Sequence, residues 1–103
     1  MSIDMRWEDE NGEEQAAVLS PPRSQFASLI PEATTLDYPC LRYIDPYGDT
    51  TFNQLQLLHL IADLERTLPR CTTPETRQHV EAMIDLARKA AGEVHTYIKF
   101  YGD

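Results

Sequence analysis

The sequence predicts an α+β domain: an antiparallel sheet of about five strands in the order β-β-β-β-α-α-β, with two antiparallel helices packed on one face. Three observations lead there. Residues 2–8 and 94–101 alternate apolar and polar side chains, the period of a half-buried strand. Between residues 53 and 91 the apolar side chains recur instead at steps of three and four, the period of a helix. Short turn signals join the pieces, so successive elements are expected to be neighbours in space.

At the start of the chain Ile3, Met5 and Trp7 fall on one side and Asp4, Arg6 and Glu8 on the other. Asn11-Gly12 is the strongest two-residue hairpin signal a sequence offers. A type I′ turn there sets Trp7 opposite Ala16 and Met5 opposite Val18, large against small. The same register sets Asp9 against Glu14 and Glu10 against Glu13, and like charges facing each other across strands repel. The acidic tip is therefore expected either to fray or to meet something cationic. It lacks the D-x-D-x-D-G spacing of a calcium loop.

Pro21-Pro22 ends the second strand. Residues 24–30 are expected to form one short helical turn, with Phe26, Leu29 and Ile30 tucked under the sheet edge, and residues 31–37 are irregular. Asp45-Pro46-Tyr47-Gly48 has an acceptor side chain first, a fixed φ second and glycine fourth, as a type I turn prefers. Residues 38–44 are therefore expected to be a strand that pairs back on residues 49–52. Thr51 and Gln54 have capping-box spacing, which starts a helix near Asn53. Along that helix Leu55, Leu58, Ala62 and Glu65 form one row, and Leu57, Leu60, Ile61, Leu64 and Leu68 another. So broad an apolar arc predicts more than one packing neighbour. Pro69 stops the helix.

Thr73-Pro74-Glu75 supplies a cap, a proline at the first helical position and an acid where the helix dipole favours it. The second helix is predicted over 74–91, with Val80, Met83, Ile84, Ala87 and Ala91 as its buried stripe and Gly92 as its stop. The loop before it is short, which predicts antiparallel neighbours. The last strand, residues 94–101, turns Val94, Thr96, Ile98 and Phe100 toward the helices. His95, Tyr97, Lys99 and Tyr101 fall on the open side, where tyrosines suit an interface. An aromatic patch is expected there if Trp7 or Tyr43 shares that face.

Length and charge narrow the function. The 103 residues suit one domain, and 42% hydrophobic with 25% charged residues is a globular composition. No apolar run approaches the roughly 20 residues a membrane span needs, and the first residues lack the order of a secretory signal, so a cytoplasmic location is expected. A net charge of −8 disfavours nucleic acid and anionic membranes as partners and suits a basic protein. Cys40 and Cys71 are expected to be free thiols. His59, His79 and His95 lie on separate elements without ligand spacing, so neither a metal nor another cofactor is expected. A nucleophilic cysteine–histidine pair is geometrically conceivable, for instance Cys40 with His95 across neighbouring strands.

The function expected is a non-enzymatic protein-binding domain, an acidic inhibitor or immunity-type protein for a basic partner such as a toxin or nuclease. Its candidate binding residues are Glu10, Glu13 and Glu14 at the hairpin tip and His95, Tyr97, Lys99 and Tyr101 on the last strand. Two alternatives stand beside it. One is a small homodimer joined through the Tyr97/Tyr101 face. The other is a small ligand-binding module or enzyme with a pocket between sheet and helices around Cys40, His59 and His95.

Overall fold

A computed structural model describes residues 2–103. Its strands are β1 (Ile3–Asp9), β2 (Glu14–Val18), β3 (Asp49–Asn53) and β4 (Thr96–Gly102), with helices α1 (Leu57–Thr67) and α2 (Pro74–Ala91) between the last two strands. The fold is α+β, with one antiparallel sheet in the order β2-β1-β4-β3. The last strand thus lies inside the sheet, zipped to β1 on one side and β3 on the other. The two five-residue strands take the edges, where short strands limit unwanted pairing.

The sheet has four strands and not about five. Residues 38–44 bend through a 3-10 turn at Leu41–Tyr43 instead of extending. Pro39 has no N–H to give a ladder, and the next two N–H groups are taken by a side chain: Asp63 Oδ2, on α1, accepts from Cys40 N at 2.9 Å and Leu41 N at 3.0 Å. Asp63 is 2% exposed, so these donors hold a carboxylate away from water. The expected turn does form, with Gly48 N donating to Asp45 O at 3.3 Å and Tyr47 N to Asp45 Oδ1 at 2.9 Å. It closes against the end of β4, where Gly102 N donates to Gly48 O at 2.8 Å. A Cβ on Gly102 would meet the Pro46 carbonyl carbon and oxygen at 2.4 Å.

The β1–β2 register places Trp7 opposite Ala16 and Met5 opposite Val18, as the alternation predicts. The tip differs from a type I′ turn, because Gly12 (φ 79°) is its only residue in the left-handed region. Gly12 N donates to Asp9 O, and Asp9 Oδ1 accepts from Asn11 N at 2.8 Å and Glu13 N at 3.0 Å. A bulge after Trp7 leaves Gln15 without an opposite residue and sets Glu8, not Asp9, against Glu14. The like charges then part: Glu14 turns to Arg6 at 3.2 Å and Glu8 to the Tyr101 hydroxyl at 2.5 Å.

Ile3, Met5, Phe52, Ile98 and Phe100 make up the covered face of the sheet. Phe52 meets Phe100 edge to face at 6.0 Å, a geometry worth about 0.5–1.5 kcal/mol beyond its area. Leu57, Leu60, Ile61 and Leu64 of α1 and Val80, Met83, Ile84 and Ala87 of α2 fill the other side of the core. The helices are antiparallel. Arg77 reaches the Leu68 carbonyl near their connection, and farther out Arg88 pairs with Glu65 at 2.6 Å.

Strand β3 runs one residue past its expected end, and the capping box is Asn53 with Gln56, two positions later than the expected Thr51 with Gln54. The broad arc of α1 meets more than one neighbour, α2 and the connector at Leu41–Tyr43, but Leu55 and Leu58 fall outside these contacts and remain 86% and 73% exposed. Helix α2 spans its predicted residues, with the Thr73 hydroxyl accepting from Thr76 N at 3.2 Å. Gly92 ends it in a right-handed conformation (φ −80°), and the positive φ falls on His95 instead. Phe26 and Leu29 are buried in the predicted short turn, but against α2 more than under the sheet edge, with Phe26 edge-on to His79 at 5.6 Å.

Removing the Asp63 carboxylate leaves two buried N–H groups without a partner, so Asp63→Ala should lower the unfolding free energy by about 3 kcal/mol or more, with Asp63→Asn recovering part of it, in urea denaturation. Gly102→Ala should cost about 1–3 kcal/mol, because the Asp45–Gly48 turn must move to admit the methyl group.

Candidate interaction surface

The uncovered face of the sheet carries Asp4, Arg6 and Glu8 from β1, Tyr97, Lys99 and Tyr101 from β4, and Asp49, Thr51 and Asn53 from β3. Arg6 and Lys99 stand directly opposite each other and both approach the Tyr101 ring, at 4.6 and 4.9 Å from its centre. Lys99 also lies 3.9 Å from Asp49. Burial, then the hydrogen bond and charge of Glu8, push the Tyr101 hydroxyl up, so it remains a donor. These groups bond one another and form a closed polar lattice. No aromatic patch extends it: Trp7 shares the covered face with Met5, and Tyr43 stacks on Arg42 in the connector.

At one end of this face the chemistry changes. Pairing of β1 with β4 sets Glu8 across from Tyr97 and Asp9 across from Thr96, which brings the acidic hairpin tip to the loop between α2 and β4. His95 does not lie on the strand as expected. Its left-handed backbone, one residue before β4, swings the ring out, with Nδ1 3.6 Å from the Glu10 carboxylate. Two clefts flank it. One, of about 320 Å³, is lined by Trp7, Asp9, Gln15, Glu93, Val94 and Thr96 as well as His95. The other, of about 210 Å³, lies between Asn53, Gln54 and Leu55 on one side and Thr96 and Tyr97 on the other.

Of the candidate residues, the structure thus gathers Glu10, His95 and Tyr97 at one end, with Glu13 and Glu14 on the adjoining hairpin. Lys99 and Tyr101 sit further along the sheet, in the lattice. Trp7, Leu55, Glu93 and Val94 join the end without having been singled out as site residues. The surplus row on α1 was the one sequence signal for Leu55.

The groups with chemical potential elsewhere are engaged in holding the fold. Cys40 is buried beneath α1 with its thiol donating to the Gln56 carbonyl, and burial followed by the Asp63 charge pushes it up. It is not on a strand beside His95, so the Cys40–His95 pair loses its geometric basis. Burial also raises Cys71, against the partial pull of Arg77 and Arg70, and its thiol meets the Thr67 carbonyl. His59 is exposed on α1, so Cys40, His59 and His95 do not converge on an interior pocket.

Another hollow, of about 560 Å³, is lined by Ser24, Gln25, Ala27 and Ser28. Its Ser24 hydroxyl bonds His79 Nδ1 at 2.6 Å while accepting from Phe26 N, and the neighbouring Gln25 N donates to Thr76 Oγ1 at 2.9 Å. These bonds tie the connector to α2. Among the described residues no carboxylate bonds His79, and no three His, Cys, Asp or Glu side chains gather as a metal ion would require.

Fold and surface together define a small α+β domain with an acidic hairpin end, and among the described residues no helix is long and apolar enough to cross a membrane. Compared with known protein families, with curated proteins and with solved structures, the chain matches none.

His79 is 2% exposed, and burial lowers its affinity for protons against smaller opposing effects of Asp4 and the Ile3 carbonyl. An unfolded histidine, with its ordinary value of 6.5, therefore protonates before the folded one. The stability this group contributes is complete above that value and is lost as pH falls from there through the folded-state value. In urea unfolding at about pH 7.5 and 5.5, wild type should lose more stability on acidification than His79→Gln. Equal losses would show that His79 is not the titrating group.

Proposed function

We propose that this chain is a non-enzymatic protein-binding domain, an acidic inhibitor of the immunity type, whose hairpin end receives a basic partner protein. The observation that carries this is the concentration of charge: Glu8, Asp9, Glu10, Glu13, Glu14 and Glu93 lie on the hairpin and the adjoining loop. Among the described residues Arg6 pairs with Glu14 there, and the His95 ring lies 3.6 Å from Glu10. Fields of this kind focus an oppositely charged partner and speed its encounter. Glu10 and Glu13 are exposed at the tip, Glu14 is held by Arg6, and Tyr97 adds contact area with little rotamer entropy. Lys99 and Tyr101 keep the neighbouring lattice rigid.

The test is capture from cell extract on the immobilised chain, elution by a salt gradient, and kinetics with the protein that elutes. A basic partner should emerge, its association rate falling about tenfold or more between low and high ionic strength. Glu10→Gln with Glu13→Gln should slow association far more than it speeds dissociation. Capture of only neutral or acidic proteins, or association indifferent to salt, would overturn the proposal.

A further inference from the structure

Helix α1 carries two apolar rows where its packing uses one. Leu57, Leu60, Ile61 and Leu64 are buried, whereas Leu58 and Ala62, and Leu55 in the 3-10 turn (Gln54–Gln56) that leads into the helix, are exposed. Leu55 opens onto the cleft it shares with His95, Thr96 and Tyr97. On the other side of His95, Val94 (71% exposed) and half-buried Trp7 line the second cleft. A strip of exposed apolar side chains, interrupted by His95 and edged by Asn53 and Gln54, therefore runs from the start of α1 to the acidic hairpin end. Exposed apolar side chains gathered beside charged ones suit a contact surface better than leucines scattered singly.

We propose that this strip is the docking site for an amphipathic basic segment of the partner. Apolar side chains of that segment would lie on Leu55, Leu58 and Val94, and its lysines or arginines would meet Asp9, Glu10 and Glu93. The inference rests on the proposed function and adds the contact surface and the chemistry of what binds there. Charge selects the occupant. Asp9 and Glu93 line one cleft and Glu10 pairs with the histidine between the two, so an apolar segment flanked by cations is complementary at both the strip and its rim. A second copy is the poorer match, since pairing about this strip sets acidic ends together and doubles −8 to −16. An apolar helix face laid on a groove, with charge fixing its orientation, is a recurring mode of recognition.

The probes are two synthetic peptides of equal positive charge: an amphipathic helix of leucine and lysine, and a lysine peptide without the leucines. Binding of each is measured by calorimetry at low salt. Wild type should bind the leucine-containing peptide at least about tenfold more tightly. Leu55→Ser with Leu58→Ser, both exposed and checked for folding by urea denaturation, should abolish that preference and leave lysine-peptide binding unchanged. Glu10→Gln with Glu93→Gln should weaken both peptides. If the double serine variant keeps the preference, the strip is not the docking site, while salt-sensitive binding of the lysine peptide leaves the proposed function standing. If wild type binds neither peptide, both fall together. A wild-type dimer in light scattering that Leu58→Ser splits would assign the strip to a second copy and overturn the inference.

Discussion

The fold depends on a carboxylate that faces inward. Asp63 sits on the buried side of α1 and accepts two backbone N–H groups from Cys40 and Leu41. Residues 19–48 form the longest stretch without strand or α-helix, and such a stretch must be held by specific bonds or the conformational entropy of a loose chain prevails. Other ties add to the one at Asp63. Ser20 N donates to Asp4 Oδ1, Ser24 and Gln25 bond His79 and Thr76, and the Arg66 guanidinium reaches the Asp37 carbonyl while stacking on Tyr38. Asp63 makes the most buried of these connections. It seats Leu41 and Ile44 in the core and so delivers the chain to β3 at the right place beside β4.

That dependence explains which parts of the structure were legible in the sequence. Elements governed by their own periodicity were plain: β1 from Ile3, Met5 and Trp7, α2 from Thr73 to Ala91, and β4 from its alternation. Segments governed by a distant partner were not. Residues 38–44 contain strand-forming types, but their conformation is set by an aspartate 22 and 23 positions downstream. A clue was present, since Cys40 and Leu41 are adjacent apolar residues and Ile44 follows Leu41 by three, a spacing of turns and not of strands. At the hairpin, Asn11-Gly12 gave the turn but not its type, because the bulge at Gln15 decides the tip.

The surface was legible in composition and hidden in arrangement. The acidic hairpin and the tyrosines of β4 were visible one by one. The meeting of the hairpin and Tyr97 at His95 depends on β4 inserting beside β1, which no local pattern specifies. The uncovered sheet face is quieter than its residues suggest, because Arg6, Glu8, Lys99 and Tyr101 bond among themselves. The outward row on α1 carries the opposite lesson. Leucines at helical spacing usually signify core, yet Leu55 and Leu58 have nothing against them.

The central place of β4 bears on how the molecule comes into being. Ile3 is zipped to Gly102 and Asp49 to Tyr101, so neither half of the sheet closes until residues 96–102 have left the ribosome. Up to that point the β4 side of β1 lacks its ladder partners and remains an open edge. Joining partners so far apart in sequence is slow compared with forming α1 and α2. The nascent chain is therefore most exposed to chaperones and to self-association just before its last strand arrives.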